Sequence, residues 1–185
     1  FILKAAEKGM DVFRIFDALN DIRNLKTAIQ VTKETGKHAQ GTICYTTSPV
    51  HNITSFVNLG KELAALGCDS IAIKDMAGLL TPYITSALIK ALKDEIDLPL
   101  HLHSHATSGL AEMCQLKAIE AGCQHIDTAL SSWSGGTSHP PTESLVTALR
   151  GTGYDTGLDL DKLQAANSYF SKIRKKYRRF ESEFT

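Results

Sequence analysis

The sequence predicts an α/β fold, a (β/α)8 barrel of which this chain holds about five βα units. Five short β-rich runs recur along its 185 residues, and a helical pattern follows each of them. Such alternation is typical of βαβ units with a parallel sheet. No run is followed by the G-x-G-x-x-G fingerprint, which disfavours the main alternative, an open doubly wound sheet. Polar residues end every run instead, where barrel enzymes carry their sites.

The β-rich runs, in chain order, predict five strands. They are 12–17 (VFRIFD), 41–46 (GTICYT), 70–75 (SIAIKD), 100–105 (LHLHSH) and 125–131 (HIDTALS). A barrel closes with eight strands. We therefore expect three further strands, either before Phe1 or from another chain. Phe1 itself lies in a segment that resembles a helix.

Caps and glycines delimit the predicted helices, which are 21–35, 52–66, 83–96, 110–121, 141–150 and 160–180. Glycine follows most of them directly, as it does at helix C-termini. Thr81-Pro82 is an N-cap and first-turn pair, and Asp159 is the expected cap of the last helix. No linker interrupts the pattern, so residues 1–185 are predicted to be one domain, with 159–180 as a long following helix.

Composition excludes some classes of protein. The 20 basic and 20 acidic residues balance, whereas nucleic-acid binding needs a clustered basic excess. The basic run 172–179 (KIRKKYRR) is interpreted as a solvated helix face. The four cysteines lack C-x-x-C spacing and are expected to be reduced. No apolar run is long enough to span a membrane, and no signal peptide is recognisable, so a cytoplasmic location is expected.

Three histidines alternate in the fourth predicted strand. His101, His103 and His105 share one face, because side chains in a strand alternate between faces. Two imidazoles at i and i+2 near the strand's C-terminal end can reach one ion, and imidazole suits Zn²⁺, Mn²⁺ or Co²⁺. The alternative is a set of hydrogen-bonded core histidines. The pattern alone does not say which two would bind.

Lys74 lies in the apolar run "IAIKDMAGLL", on the face opposite Ile71 and Ile73. Burying an unpaired ammonium is costly, so this lysine needs an explanation. One is an ion pair with a neighbouring carboxylate. Others are a lysine of depressed pKa serving as base or nucleophile, or a carbamate formed with CO2 that would bind metal.

Two further stretches offer candidate site residues. The loop 131–143 (SSWSGGTSHPPTE) is rich in hydroxyls and glycines and opens a helix, a setting that favours anions. Thr137 follows Gly135-Gly136 and is the hydroxyl best placed to approach a ligand. Asp17 ends the first strand, where it either caps the following helix or is available to the site.

Five motifs in order, "FRIFDALND", "GTICYTTSPVH", "IKDMAGLLTP", "HLHSHATSG" and "IDTALSSWSGGTSHPPTES", resemble the carboxyltransferase domain of biotin-dependent enzymes. That family comprises the oxaloacetate decarboxylase α subunit, pyruvate carboxylase and the transcarboxylase 5S subunit. The resemblance runs nearly end to end. It is strongest to the oxaloacetate decarboxylase α subunit in "CYTTSPVH", "KDMAG", "TESLVTAL" and "GTGYDTGLD".

The resemblance implies carboxyl transfer between oxaloacetate or pyruvate and biotin at a divalent metal (Zn, Mn or Co). His103, His105 and a carbamylated Lys74 match the metal ligands, and His101 becomes a core or supporting residue. Thr137 matches the catalytic threonine that moves a proton between biotin and substrate, and Asp17 matches the aspartate of the biotin pocket. Implied partners are a biotinylated carrier domain and membrane subunits of the decarboxylase, with a homo-oligomeric parent protein.

The chain departs from the family pattern in several places. The family's first three strands carry an aspartate ligand, two arginines, a glutamine and a tyrosine that have no counterpart here, and the biotinyl-lysine motif is absent. Two alternatives therefore stay open. One is a metal-dependent aldol-type lyase or synthase acting on acyl-CoA, which resembles D-T-x-G where this chain has the KDMAG lysine. The other is an inactive part of a barrel.

Overall fold

The structure is a computed structural model and describes residues 1–181; residues 182–185 of the predicted domain lie outside the described part. Five strands alternate with seven helices. The strands are β1 (Val12–Ile15), β2 (His38–Cys44), β3 (Ser70–Asp75), β4 (Leu100–Ser104) and β5 (His125–Ile126). The helices are α1 (Ile2–Glu7), α2 (Ile22–Glu34), α3 (Ile53–Ala65), α4 (Pro82–Glu95), α5 (Ala111–Glu120), α6 (Thr142–Leu149) and α7 (Leu160–Tyr177). Single 3₁₀ turns cover Ser131–Trp133 and Arg178–Phe180.

All five strands are parallel and pair in chain order, β1-β2-β3-β4-β5. The sheet is strongly curved, because Arg14 on β1 and Asp127 just after β5 form an ion pair of 2.6 Å across its concave face. In a flat sheet these edge strands would lie about 19 Å apart, given the usual strand spacing. The five strands thus form an arc of a barrel, and the predicted fold class is confirmed.

The two faces of the arc differ in polarity. The convex face and the helices α2 to α5 enclose an apolar core whose fully buried members include Ile43, Leu63, Ile71, Ile73, Leu88, Leu92, Leu100 and Leu102. Gly41 on β2 is required there, since a Cβ would lie 2.7 Å from the Cys68 sulfur. The concave face carries the polar residues of the same strands. Alternation along each strand therefore separates the core from the candidate site.

Strand bounds differ from the predicted ones at three places. β2 begins three residues early, at His38, because Val12 of β1 pairs with it. β1 ends at Ile15, since the chain then turns through Asn20, whose φ is +59°. β5 has only two residues, because Ala129 pairs with Pro141 in the chain's own next segment instead of continuing the strand.

The predicted helices are all present, most of them shorter by one residue at an end. Asp159 accepts hydrogen bonds from the Asp161 and Lys162 amides and caps α7, as expected. Thr81 occupies the N-cap position of α4 but makes no side-chain cap bond. The last helix becomes a 3₁₀ turn at Arg178, so the predicted segment 160–180 is helical in two parts.

The four cysteines are free and buried. Burial raises the pKa of the Cys68 and Cys123 thiols to about 11, which keeps both protonated at neutral pH. Across residues 1–181, no helix combines the length and the apolar character that crossing a membrane requires.

Candidate functional site

The three alternating histidines lie on the concave face, as their spacing predicts. Leu100 and Leu102 of β4 point into the apolar core, and His101 and His103 point the opposite way. His105 follows the strand end and stays on the same side, with its Nε2 atom 3.2 Å from Nε2 of His103. The side chain of His103 is mostly buried, at 12% exposure.

Lys74 lies beside this pair. Strand register places it opposite His103, and its Nζ atom is 3.1 Å from His103 Nε2 and 4.9 Å from the centre of the Phe16 ring. Burial lowers the pKa of the Lys74 ammonium below its ordinary value, and the nearby Arg14 charge lowers it further. No carboxylate lies within ion-pair distance of Lys74 among the residues that the structure describes.

The loop of residues 135–139, called here the Thr137 loop, lies directly against β4. His105 Nδ1 contacts the Thr137 carbonyl oxygen at 2.6 Å, and the Ala106 amide donates to the Ser138 carbonyl at 2.8 Å. The Thr137 side chain itself is exposed. The structure thus brings Thr137 to the same end of the sheet as Lys74, His103 and His105.

His139, at the end of the Thr137 loop, was not singled out from the sequence. Its ring centre lies 4.4 Å from that of His103 and 4.8 Å from that of His105. One nitrogen of each of the three histidines lies within 4.8 Å of the others, an arrangement that could hold a metal ion. The sequence signal available was its place two residues after Thr137, in a loop already expected to contribute to the site.

The hydrogen bonds of these three rings determine which nitrogen carries the proton. His105 Nδ1 and His139 Nδ1 face carbonyl oxygens of Thr137 and Ser104, at 2.6 and 2.9 Å, so each Nδ1 must donate. His103 Nδ1 faces the Asp127 carboxylate at 2.7 Å and also donates. Each neutral ring then keeps its lone pair on Nε2, the atom turned towards the others.

Asp127 is a second residue that sequence reasoning missed. Its carboxylate accepts hydrogen bonds from Arg14, His101 and His103, at 2.6, 2.6 and 2.7 Å. Burial by itself raises the pKa of Asp127, but these three donors outweigh burial and hold that pKa well below its usual range. Asp127 therefore stays ionised and orients both histidines.

Arg14 was also missed. It donates to Gln40 on β2 and to Asp127 at 2.6 Å each, so it joins β1 to the far edge of the sheet. Its parity was the available signal: Arg14 alternates with the buried Phe13 and Ile15, as Asp127 alternates with Ile126. A polar residue of this parity in a barrel strand points to the interior.

Asp17 lies in the β1–α2 loop and is engaged there. Its carboxylate accepts hydrogen bonds from the Leu19 and Asp21 amides and from Asn24, each at 3.0 Å. The Asp21 amide bond and the Asn24 side chain hold its pKa below the ordinary value. Asp21, not Asp17, caps α2. Asp17 thus holds the loop, and its predicted place in a biotin pocket stays a prediction.

The fold and the site together define a class: an α/β-barrel protein with an imidazole and lysine cluster at the carboxyl ends of its strands. A sequence profile of the HMGL-like family matches residues 12–169. The chain belongs to the HMGL-like family.

Its relatives are carboxyltransferases and carboxylases, which confirms the predicted resemblance. The chain is 60% identical to a pyruvate carboxylase polypeptide of Methanocaldococcus jannaschii, over 96% of this chain and 31% of that protein. It is 52% identical to the methylmalonyl-CoA carboxyltransferase 5S subunit of Propionibacterium freudenreichii, over 99% of this chain and 37% of that protein. The chain thus spans about a third of the length of these curated relatives.

A solved structure shows the same architecture. The carboxyl transferase domain of Rhizobium etli pyruvate carboxylase, determined with pyruvate and biocytin, superimposes with a TM-score of 0.97 at 38% identity. The match covers 100% of this chain and 32% of that one. The five-stranded arc is therefore part of a carboxyltransferase barrel.

Proposed function

We propose that this chain carries the metal-centred half of a site for biotin-dependent carboxyl transfer between oxaloacetate or pyruvate and biotin. One observation supports this most directly: the Nε2 atoms of His103 and His105, both without a proton, lie 3.2 Å apart beside the Lys74 amine. Two lone pairs at that distance repel each other unless a cation lies between them. The family and its carboxylase relatives supply the reaction class.

The residues present fit a divalent metal. Two nitrogen ligands on one tetrahedral ion are about 3.4 Å apart when each bond is about 2.1 Å, close to the separation of the two Nε2 atoms. His103, His105 and a carbamylated Lys74 would hold the ion, and a nitrogen-rich set suits Zn²⁺, Co²⁺ or Mn²⁺. When bound, the metal polarises the substrate carbonyl and stabilises the negative charge left when CO2 departs.

Lys74 would act as a carbamate. Its uncharged amine adds to CO2 and releases one proton, which converts a cation into an anionic ligand. Burial and Arg14 lower the Lys74 pKa and so raise the fraction of free amine at neutral pH. His103, 3.1 Å away, would then share the ion with the carbamate oxygen.

Thr137 and Asp17 would serve the carboxyl transfer itself. The bond between the carboxyl group and the methylene carbon of oxaloacetate breaks, and the carboxyl carbon bonds to the biotin nitrogen. The Thr137 hydroxyl would take the proton of that nitrogen and deliver its own to the methylene carbon, which yields pyruvate. Asp17 would orient the biotin ring from the β1–α2 loop.

We further propose oxaloacetate decarboxylase as the specific activity, with biotin on a separate carrier domain or subunit. The parent protein would be a cytoplasmic homo-oligomer, membrane-associated only through partner subunits. The competing aldol-type activity on acyl-CoA would use the same histidine pair but gives Lys74 no role. Lys74 therefore discriminates between the two functions.

The test uses the full-length protein and compares pyruvate release from oxaloacetate with biotin and with acetyl-CoA as the second reactant. We expect turnover with biotin, and we expect Lys74→Ala to reduce it at least about 100-fold, as removal of a metal ligand does. Lys61→Ala is the matched control, because Lys61 pairs with Glu95 on the outer surface. Mass spectrometry of the intact protein should show one CO2 adduct that Lys74→Ala lacks.

Full activity of Lys74→Ala with biotin would sink the carbamate. Turnover that requires acetyl-CoA and ignores biotin would favour the aldol reaction instead.

A further inference from the structure

The Thr137 loop is attached to β4 and its continuation by three hydrogen bonds. They are Ala106 amide to Ser138 carbonyl, His105 Nδ1 to Thr137 carbonyl, and His139 Nδ1 to Ser104 carbonyl, at 2.8, 2.6 and 2.9 Å. Two of the three involve histidine side chains, one on each side of the contact. The loop is thus joined to the very strand that carries the candidate metal ligands.

The loop is also closed on itself. The Gly135 amide donates to the His139 carbonyl at 2.9 Å, and the Ser138 amide donates to the Gly135 carbonyl at 2.8 Å. Gly135 and Gly136 take φ values of +82° and +52°, which side chains disfavour, so the turn depends on both glycines. Because the ends of the loop are bonded to each other, a contact that holds His139 also holds Thr137.

The bond between His105 and Thr137 links the loop to metal binding. A histidine that ligates through Nε2 must keep its proton on Nδ1, and the acceptor of that proton orients the ring. For His105 the acceptor is the backbone carbonyl of the proposed catalytic threonine. Loss of the loop from β4 would leave His105 without this acceptor.

We propose that His139 is a positioning residue that holds the Thr137 loop on β4 and thereby couples the placement of Thr137 to metal affinity at His105. This inference rests on the proposed metal site at His103 and His105. Coupling of this kind is reciprocal: a loop held in place strengthens metal binding, and bound metal strengthens the hold on the loop by the same factor. The site would be ordered for proton transfer when its metal is present.

The side chain of asparagine separates this role from direct ligation by His139. Its amide nitrogen can take the place of imidazole Nδ1 and donate to the Ser104 carbonyl, whereas nothing in it replaces Nε2. A positioning role survives His139→Asn and fails in His139→Ala. A ligand role fails in both variants.

The experiment titrates Co²⁺ into the full-length protein by visible absorbance and follows hydrogen exchange at the Ala106 amide. His139→Ala should weaken Co²⁺ binding about 10-fold, the usual loss for a supporting residue, and should speed exchange at Ala106. His139→Asn should stay within about twofold of the wild type in affinity, since it keeps the hydrogen bond. In the wild type, Co²⁺ should slow exchange at Ala106.

His51→Asn is the matched control, because His51 also anchors its Nδ1, on Ser48 at 2.7 Å, but belongs to the β2–α3 connection. Equal loss of affinity in the Ala and Asn variants would make His139 a ligand and overturn the proposal, as would an unchanged His139→Ala. A wild type that binds no Co²⁺ would refute the metal site and the coupling together. Faster Ala106 exchange in His139→Ala alone would then still show that His139 holds the loop.

Discussion

Asp127 shows how one residue can organise a site that it does not itself occupy. It receives Arg14, His101 and His103 and connects β1, β4 and β5. With His103 Nδ1 bonded to a carboxylate, the ring has one orientation and one tautomer, and Nε2 is presented to the neighbouring Lys74 and His105. The chemistry of His103 therefore depends on a residue beyond the HLHSH motif.

Asp127→Asn tests this dependence. We expect it to lower metal affinity about 10- to 100-fold and to lower the free energy of unfolding by about 1–3 kcal/mol, because Arg14 loses its ion pair. Asp94→Asn, an exposed position on α4, is the control. Co²⁺ titration and urea denaturation measure the two effects. Unchanged metal affinity would show that His103 needs no carboxylate partner.

Gly78 explains the glycine of the KDMAG motif. Its φ is +66°, and a Cβ there would lie 2.9 Å from the His105 carbonyl oxygen and 3.2 Å from the Ser108 amide. The β3–α4 turn therefore packs backbone to backbone against the end of β4. This close approach holds the Lys74 segment and the His105 segment together.

Gly78→Ala should cost about 2–4 kcal/mol of unfolding free energy, through the left-handed φ and the clash together. Gly36→Ala is the matched control, since Gly36 has a φ of +70° with nothing within 4 Å of its Cβ position. That variant should cost about 1–2 kcal/mol, the conformational part alone. Thermal or urea unfolding measures both. Equal costs in the two variants would contradict the role given to the close approach.

At the scale of the element, helix starts differ in how they are secured. Asn52 accepts a hydrogen bond from the Ser55 amide while Ser55 bonds back to the Asn52 amide, so α3 begins with a full capping box. Thr81 holds the same position on α4 without a cap bond, and Pro82 provides the first turn instead. Two helix starts of similar sequence character thus rely on different physics.

Asn52→Ala should lower the free energy of unfolding by about 1 kcal/mol, the usual value of an N-cap. Thr81→Ala should change it by no more than a few tenths of a kcal/mol, because no cap bond is lost. Both side chains are exposed, so burial does not obscure the comparison. Denaturant unfolding decides between them, and a Thr81→Ala loss as large as that of Asn52→Ala would contradict the assignment.

For the whole molecule, the concave face is the feature that sets pH dependence. Asp127 has its pKa held below the ordinary 3.8 in the folded state. A carboxyl group with a depressed folded pKa stabilises the fold above its unfolded pKa, and that stabilisation is lost as the pH falls towards the folded value. The contribution of Asp127 is thus complete at neutral pH and declines in acid.

The difference in unfolding free energy between the wild type and Asp127→Asn should therefore shrink as the pH falls below about 4. Urea denaturation at a series of pH values from neutral to acid measures this difference. A difference that stays constant across the series would mean that Asp127 binds protons equally in the folded and unfolded states. It would also remove the electrostatic argument for this residue.

Much of the fold could be predicted from local patterns. Period-two and helical periodicities, with caps and glycines, predicted five strands and their helices in the right order, since these signals depend on neighbours along the chain. The short β5 and the early start of β2 could not be predicted, because pairing with a distant segment decided them. Lys74, His103, His105 and Thr137 were all brought to one end of the sheet.

The sequence by itself determined the βα alternation, the side of the sheet on which the histidines and Lys74 lie, and the family. Only the tertiary structure decided that Arg14 and Asp127 meet across the arc and that His139 returns to the ends of the strands. The physical reason is separation along the chain. Parity along a strand is a local property, whereas a contact between opposite edges of a sheet depends on the curvature that all five strands produce together.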